Sequence, residues 1–248
     1  MNIALPSLLI ACGLLVSCGK STVRSGGGGE HVYLTATENY KDEVRNEDDF
    51  TAIVCEGKIE ISVVQSDDYH IQVHANENVI DHLETEVEGS TLYIRTEKGY
   101  SIIGTNVSID VNMPELTSLV LDGDCRARVG TFTAGALRLI SSGDSRIEFD
   151  RVSCESVDAT IDGNSRIKIK GGTTSLRATI TGDSELEAED LAIREAEITC
   201  RGKSEAELQS PISLKAVAHG ASTIEYKGRP RDLSIECSGA SSIKKNGN

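Results

Sequence analysis

The sequence predicts an all-β protein: a right-handed parallel β-helix with coils of about 20 residues, preceded by an irregular, strand-rich N-terminal cap. Three observations predict it. One short phrase returns seven times, as DGDCRARV (122–129), SGDSRIEF (142–149), DGNSRIKI (162–169), TGDSELEA (181–188), RGKSEAEL (201–208), HGASTIEY (219–226) and SGASSIKK (238–245). The residues around each glycine alternate between apolar and polar with a period of two. Finally, the chain of 248 residues has 23 Gly but only 4 % aromatic residues, four Pro and no Trp, which implies a core of small aliphatic side chains.

The repeat is set by Gly123, Gly143, Gly163, Gly182, Gly202, Gly220 and Gly239, whose successive differences are 20, 20, 19, 20, 18 and 19. A fixed period of this length over seven copies marks a solenoid. Two residues after each glycine stand Cys125, Ser145, Ser165, Ser184, Ser204, Ser222 and Ser241; four after stand Ala127, Ile147, Ile167, Leu186, Ala206, Ile224 and Ile243. Two before stand Leu121, Ser141, Ile161, Ile180, Cys200, Ala218 and Cys237. Even offsets are small or aliphatic and odd offsets carry most of the charge, the pattern of strands with one buried face. No helix-forming or asparagine-bearing segment recurs, as leucine-rich repeats of similar length would require.

Glycine at the bend supplies a backbone conformation that a Cβ resists, and the following serine is expected to point inward and bond the backbone or the next serine. A column of six serines and a cysteine, repeated coil after coil with no recurring histidine, is not a row of nucleophiles. Residues 48–120 read as strands too, as in Lys58–Val63, His70–His74 and Thr91–Arg95, but without the period. They are expected to form larger, irregular coils that cover the first turn of the solenoid. Residues 41–245 are read as one domain.

Residues 1–17 read as a lipoprotein signal peptide. An apolar run from Ile3 to Val16 ends in Leu15-Val16-Ser17-Cys18, similar to a bacterial lipobox, and is too short for a comfortable membrane span. That similarity makes Cys18 the acylated N-terminus of the mature chain, held by acyl chains that contribute roughly 0.8 kcal/mol per buried methylene. The basic n-region is missing. Residues 18–40, with Gly26 to Gly29, read as a flexible tether. The expected location is the outer membrane, with the side it faces left open.

Seven cysteines occur, at 12, 18, 55, 125, 154, 200 and 237. Without Cys12 and Cys18 an odd number remains, none at zinc-like spacing. Cys125, Cys200 and Cys237 fall in inward columns and read as buried thiols, and Cys200 and Cys237 lie two coils apart, about 10 Å, beyond disulfide reach. The redox state of Cys55, Cys125, Cys154, Cys200 and Cys237 stays open.

A lipobox, a glycine-rich leash, FTAIVCEGKIEISVVQ, YHIQVHANENV, STLYIRTE, VSIDVNMPELTSLVLDGD and then the SGDSRIEF phrases follow one another in order. Over residues 45–245 this string resembles the bacterial head GIN-domain family of "putative auto-transporter adhesins". The resemblance implies a right-handed β-helix on an exported or outer-membrane lipoprotein, and it brings no catalytic or binding residues with it.

Candidate sites lie on outward columns. Three residues after the glycines come Arg126, Arg146 and Arg166, followed by Glu185 and Glu205. Stacked arginines suit a sulfated or uronic-acid glycan, while the acidic residues beside them suit a solvated face of offsetting charges. Asp124, Asp144, Asn164 and Asp183 form a second outward column, read either as calcium ligands or as turn residues. His70 and His74 share a strand face without an evident third ligand, and no cofactor is expected. The net charge of −14 argues against nucleic acid. The expected function is a non-enzymatic adhesin or envelope-binding module that contacts the membrane through its lipid and a protein or glycan through its face. The alternatives are a carbohydrate-active lyase or hydrolase and a purely structural envelope component.

Overall fold

The computed structural model describes residues 20–23, 31–104 and 107–247. The signal segment, Cys18 and the glycine run 26–29 lie outside these residues.

The repeat folds as a parallel β-helix. Strands ending at the bend stack in register, with Leu119 beside Leu139, Ala159 beside Ala178 and Ile198 beside Ala216. Strands leaving the bend stack likewise, Ala127 on Ile147, Ile147 on Ile167, Ile167 on Leu186 and Ala206 on Ile224. Four middle coils add a third face through residues 131–134, 151–154, 171–173 and 191–193. Among the described residues nineteen strands thereby join one continuous sheet.

The glycine column has an eighth member. Gly57 pairs with Gly123, so Ala52–Gly57 and Ile59–Gln65 are a regular first coil, where the sequence reading placed an irregular cap. Residues 66–117 are inserted between this coil and the next, and they hide its periodicity. All eight glycines have positive φ, from +78° at Gly239 to +104° at Gly57. A Cβ on Gly163 would lie 2.5 Å from the carbonyl oxygen of Gly143, an overlap with backbone that no rotamer relieves. The same carbonyl accepts the amide of Asn164 at 2.8 Å, and Asp144 and Asp183 bond Gly123 and Gly163 alike.

The serines do point inward, and Ser145, Ser165, Ser184, Ser204 and Ser222 are buried. Their bonds run to backbone. The Oγ of Ser145, Ser165 and Ser184 each accepts the amide of the residue one coil earlier at 3.3 Å. Farther along, Ser204, Ser222 and Ser241 donate to carbonyls such as those of Ile180, His219 and Ala218.

Aliphatic columns dominate the core, but all three phenylalanines are buried in it. Phe132 and Phe149 lie inside the coils, stacked on Val152 and Val129, so the interior admits rings.

The N-terminal end is closed by antiparallel pairing. Val107–Met113 continues the ladder parallel to Ile59–Gln65, then pairs antiparallel with His70–Asn76, which pairs antiparallel with Tyr40–Arg45. Thr91–Thr96 covers Ala52–Cys55 and is itself paired antiparallel with Leu83–Glu88. A short helix, Glu77–Ile80, buries Val79 and Ile80. His31–Thr35, within the segment read as tether, is a strand parallel to Tyr100–Ile103, and its Leu34 is buried.

Among the described residues the C-terminal end has no such cover. Asp232–Gly239 is exposed throughout, including Leu233 and Ile235. Cys237, expected to be buried, is therefore exposed, because among the described residues no coil stacks on the outer side of its column.

Candidate binding face

The strands leaving the bend carry two outward columns, side by side. The first reads Glu60, Arg126, Arg146, Arg166, Glu185, Glu205 and Thr223; the second reads Ser62, Arg128, Glu148, Lys168, Glu187, Glu207 and Glu225. Three successive coils thus present Arg126, Arg128, Arg146, Arg166 and Lys168 against one Glu148. The next three present Glu185, Glu187, Glu205, Glu207 and Glu225 with no cation, and the last coil ends the two columns in Ser242 and Lys244.

Ion pairs form where the two bands meet. Arg166 lies 2.5 Å from Glu185 and 3.2 Å from Glu187, and Lys168 lies 2.5 Å from Glu187. At the basic end Arg126 reaches Asp124 at 3.3 Å and Glu60 at 3.9 Å. Between these, Arg128 and Arg146 make no ion pair among the described residues, nor do Glu205 and Glu207 in the acidic band. Partial burial pushes the Glu207 carboxyl up from the ordinary range, and Glu189, Glu205, Glu185 and Glu225 push it further.

The strands entering the bend have a different pattern. One of their outward columns is Arg138, Asp158, Arg177, Glu197 and Lys215, alternating in sign at every coil. Glu197 is held between Arg177 at 3.2 Å and Lys215 at 2.7 Å, which lowers its pKa. One face neutralises itself; the other keeps its signs apart. Sequence columns at offset three showed the arginines and two of the glutamates, while the contrast needed the columns at offsets plus five and minus five as well.

The column after the glycines is knit to itself. The Asn164 amide donates to Asp144 at 3.0 Å, and Asp124 faces Arg126 and, at 4.0 Å, Lys58. Among the described residues no group of three or more His, Cys, Asp or Glu is arranged to hold a metal ion. His74 sits between Asp42 at 2.7 Å and Asp110 at 3.2 Å, and His70 stands exposed on the same strand. The Asp42 bond, with Asp110 behind it, raises the His74 pKa against a smaller opposing effect of burial. No described helix is long and apolar enough to cross a membrane.

A family model described as "putative auto-transporter adhesin, head GIN domain" matches residues 49–230. The chain belongs to the head GIN-domain family. Solved structures share its fold at low identity. A "putative adhesin" from Bacteroides fragilis is 19 % identical with a TM-score of 0.82, over 86 % of this chain and 100 % of that one. A "putative lipid binding protein" from Parabacteroides distasonis is 22 % identical with a TM-score of 0.70, over 87 % and 100 %. A "putative adhesin" from Parabacteroides merdae is 19 % identical with a TM-score of 0.69, over 87 % and 99 %. No curated protein matches at a significant level. The match begins just ahead of the first coil at Ala52, so the matched stretch of this head GIN domain takes in Gly57 and its coil together with the first six phrases, up to the penultimate bend at Gly220.

Proposed function

We propose that this head GIN domain is a non-enzymatic binding module, tethered to the outer membrane through acylated Cys18, that offers its charge-separated face to a protein or glycan of the cell envelope. The separation of sign on that face carries the reading. A solvated sheet with no partner gains from alternating charges, as the Arg138 to Lys215 column does. Rows of like charge on adjacent strands cost stability, and they are useful where an external group offsets them. Arg126, Arg146 and Arg166 are the contacts for carboxylate or sulfate groups, which a guanidinium grips with two parallel hydrogen bonds. The family's adhesin label supports a binding role.

A panel of soluble polysaccharides and a glycan array test this together. Binding without turnover, weakened by Arg146→Ala, is the expected result. Chain cleavage of any polymer contradicts the reading in favour of a carbohydrate-active enzyme. For the tether, Cys18→Ser is expected to move the protein from the membrane fraction to the soluble fraction, and unchanged membrane retention contradicts lipidation.

A further inference from the structure

The charge-separated face is close to neutral while the whole chain carries −14, so neither a polyanion nor a polycation satisfies both of its halves. A partner that satisfies both halves at once carries the same two bands in the opposite order. We propose that this partner is a second copy of the chain, docked face to face with the solenoid axes antiparallel; this rests on the reading of that face as the binding surface.

The geometry follows from the register. Place a two-fold axis along the strand direction, between the Arg166 and Glu185 coils. It brings the two faces together, reverses the order of coils and keeps each column opposite itself. Arg166 then faces Glu185 and Lys168 faces Glu187 of the second copy. One coil outward Arg146 faces Glu205, and two coils outward Arg128 faces Glu225. Of the side chains named above as lacking internal ion pairs, Arg128, Arg146 and Glu205 receive opposite charges and Glu207 does not. Glu148 facing Glu207 is the one like-charge register, flanked on its own strand by Arg146. Sliding by two coils places Arg146 on Arg166 in one direction, and Glu185 on Glu205 with Glu187 on Glu207 in the other, so charge favours the first register.

Adjacent strands lie about 4.8 Å apart, so the six coils from Arg126 to Glu225 run for about 25 Å, two outward residues wide. That area is below the roughly 800 Å² per partner of a standard stable interface, so the contact is transient and salt-sensitive. Crowding on a membrane raises the effective concentration of such a contact.

Sedimentation velocity of the full chain in a non-ionic detergent, at low and at high ionic strength, tests the proposal. Self-association is expected at about 20 mM salt and its loss at about 500 mM. Arg146→Glu and Glu205→Arg are each expected to weaken it at least about tenfold. Mixed with one another, these two variants are expected to associate at least as well as wild type, since each 146–205 contact regains opposite charges. Monomer at every salt concentration overturns the proposal, as does association indifferent to either reversal. If the chain stays monomeric yet binds a glycan through Arg146, self-docking fails and the binding face stands. If neither occurs, both fail.

Discussion

The two ends of the solenoid meet solvent in different ways. At the N-terminal end Val107–Met113 and Thr91–Thr96 lie against the first coil, and Phe50, Met113 and Leu116 are fully buried there. At the C-terminal end Leu233 and Ile235 occupy the same kind of inward column but remain 47 % and 45 % exposed. In a stacked array each coil is buried by its neighbours, so a terminal coil keeps half of its apolar surface wet unless something irregular covers it. The cap achieves this by leaving the parallel pattern for antiparallel hairpins, which need only short turns.

The largest effect expected from this contrast is on the cap core. Phe50→Ala is expected to cost about 3–5 kcal/mol in chemical denaturation, whereas Ile235→Ala costs less than about 1 kcal/mol because its side chain is already half in water. Equal losses at the two positions would abolish the distinction between ends.

The glycine column gives the next contrast. Gly163→Ala combines a positive φ with a backbone overlap and is expected to cost about 3 kcal/mol or more. At Gly57, in the first coil, the nearest atom to an added Cβ is Thr96 Oγ1 at 3.9 Å, so only the backbone strain of about 1–2 kcal/mol remains. Melting curves for the two alanine variants compare them directly.

Ser141 offers a gain. Its Oγ is buried with no hydrogen-bond partner among the described residues, in a column otherwise filled by residues such as Leu121, Ile161 and Ile180. Ser141→Ala is expected to stabilise the chain by about 1 kcal/mol, and a loss would mean that the hydroxyl finds a partner.

The smallest effect is pH-dependent and confined to the cap. His74 bridges Asp42 and Asp110 across three strands, and its folded pKa is raised. Its contribution is therefore full below the unfolded value of about 6.5 and is lost as pH rises through the folded value. His74→Gln is expected to cost about 0.5–1 kcal/mol at pH 5.5 and almost nothing at pH 9; a penalty independent of pH would contradict the ion pair.

The sequence shows the solenoid clearly because every coil repeats the same physical demand. Gly143 and Gly163 must have positive φ, Ile147 and Ile167 must face inward, and neither requirement depends on distant residues. The first coil obeys the same rules at Cys55, Gly57 and Ile61, but the inserted residues 66–117 break the spacing by which a period is recognised. Cap pairing such as Val73 with Ile109 joins segments far apart in sequence, and alternation alone does not name partners. The exposure of Cys237 was hidden for a related reason: a column assigns an inward direction, while burial also needs a coil on each side. On the binding face, Arg146 and Glu205 were visible as a column, but charge separation became meaningful only beside the alternating column of Arg177, Glu197 and Lys215.

Hydrogen exchange tests most directly the claim that a closed, rigid solenoid holds its charged face in place and ends in an open coil. Amides of the ladder from Arg126 to Leu208 are expected to exchange together and slowest, through global unfolding, the cap strands close behind them, and Asp232–Gly239 and Ser242–Lys245 first. Exchange of the cap ahead of the C-terminal coil, or independent opening of the Arg146 and Glu205 strands, would contradict it.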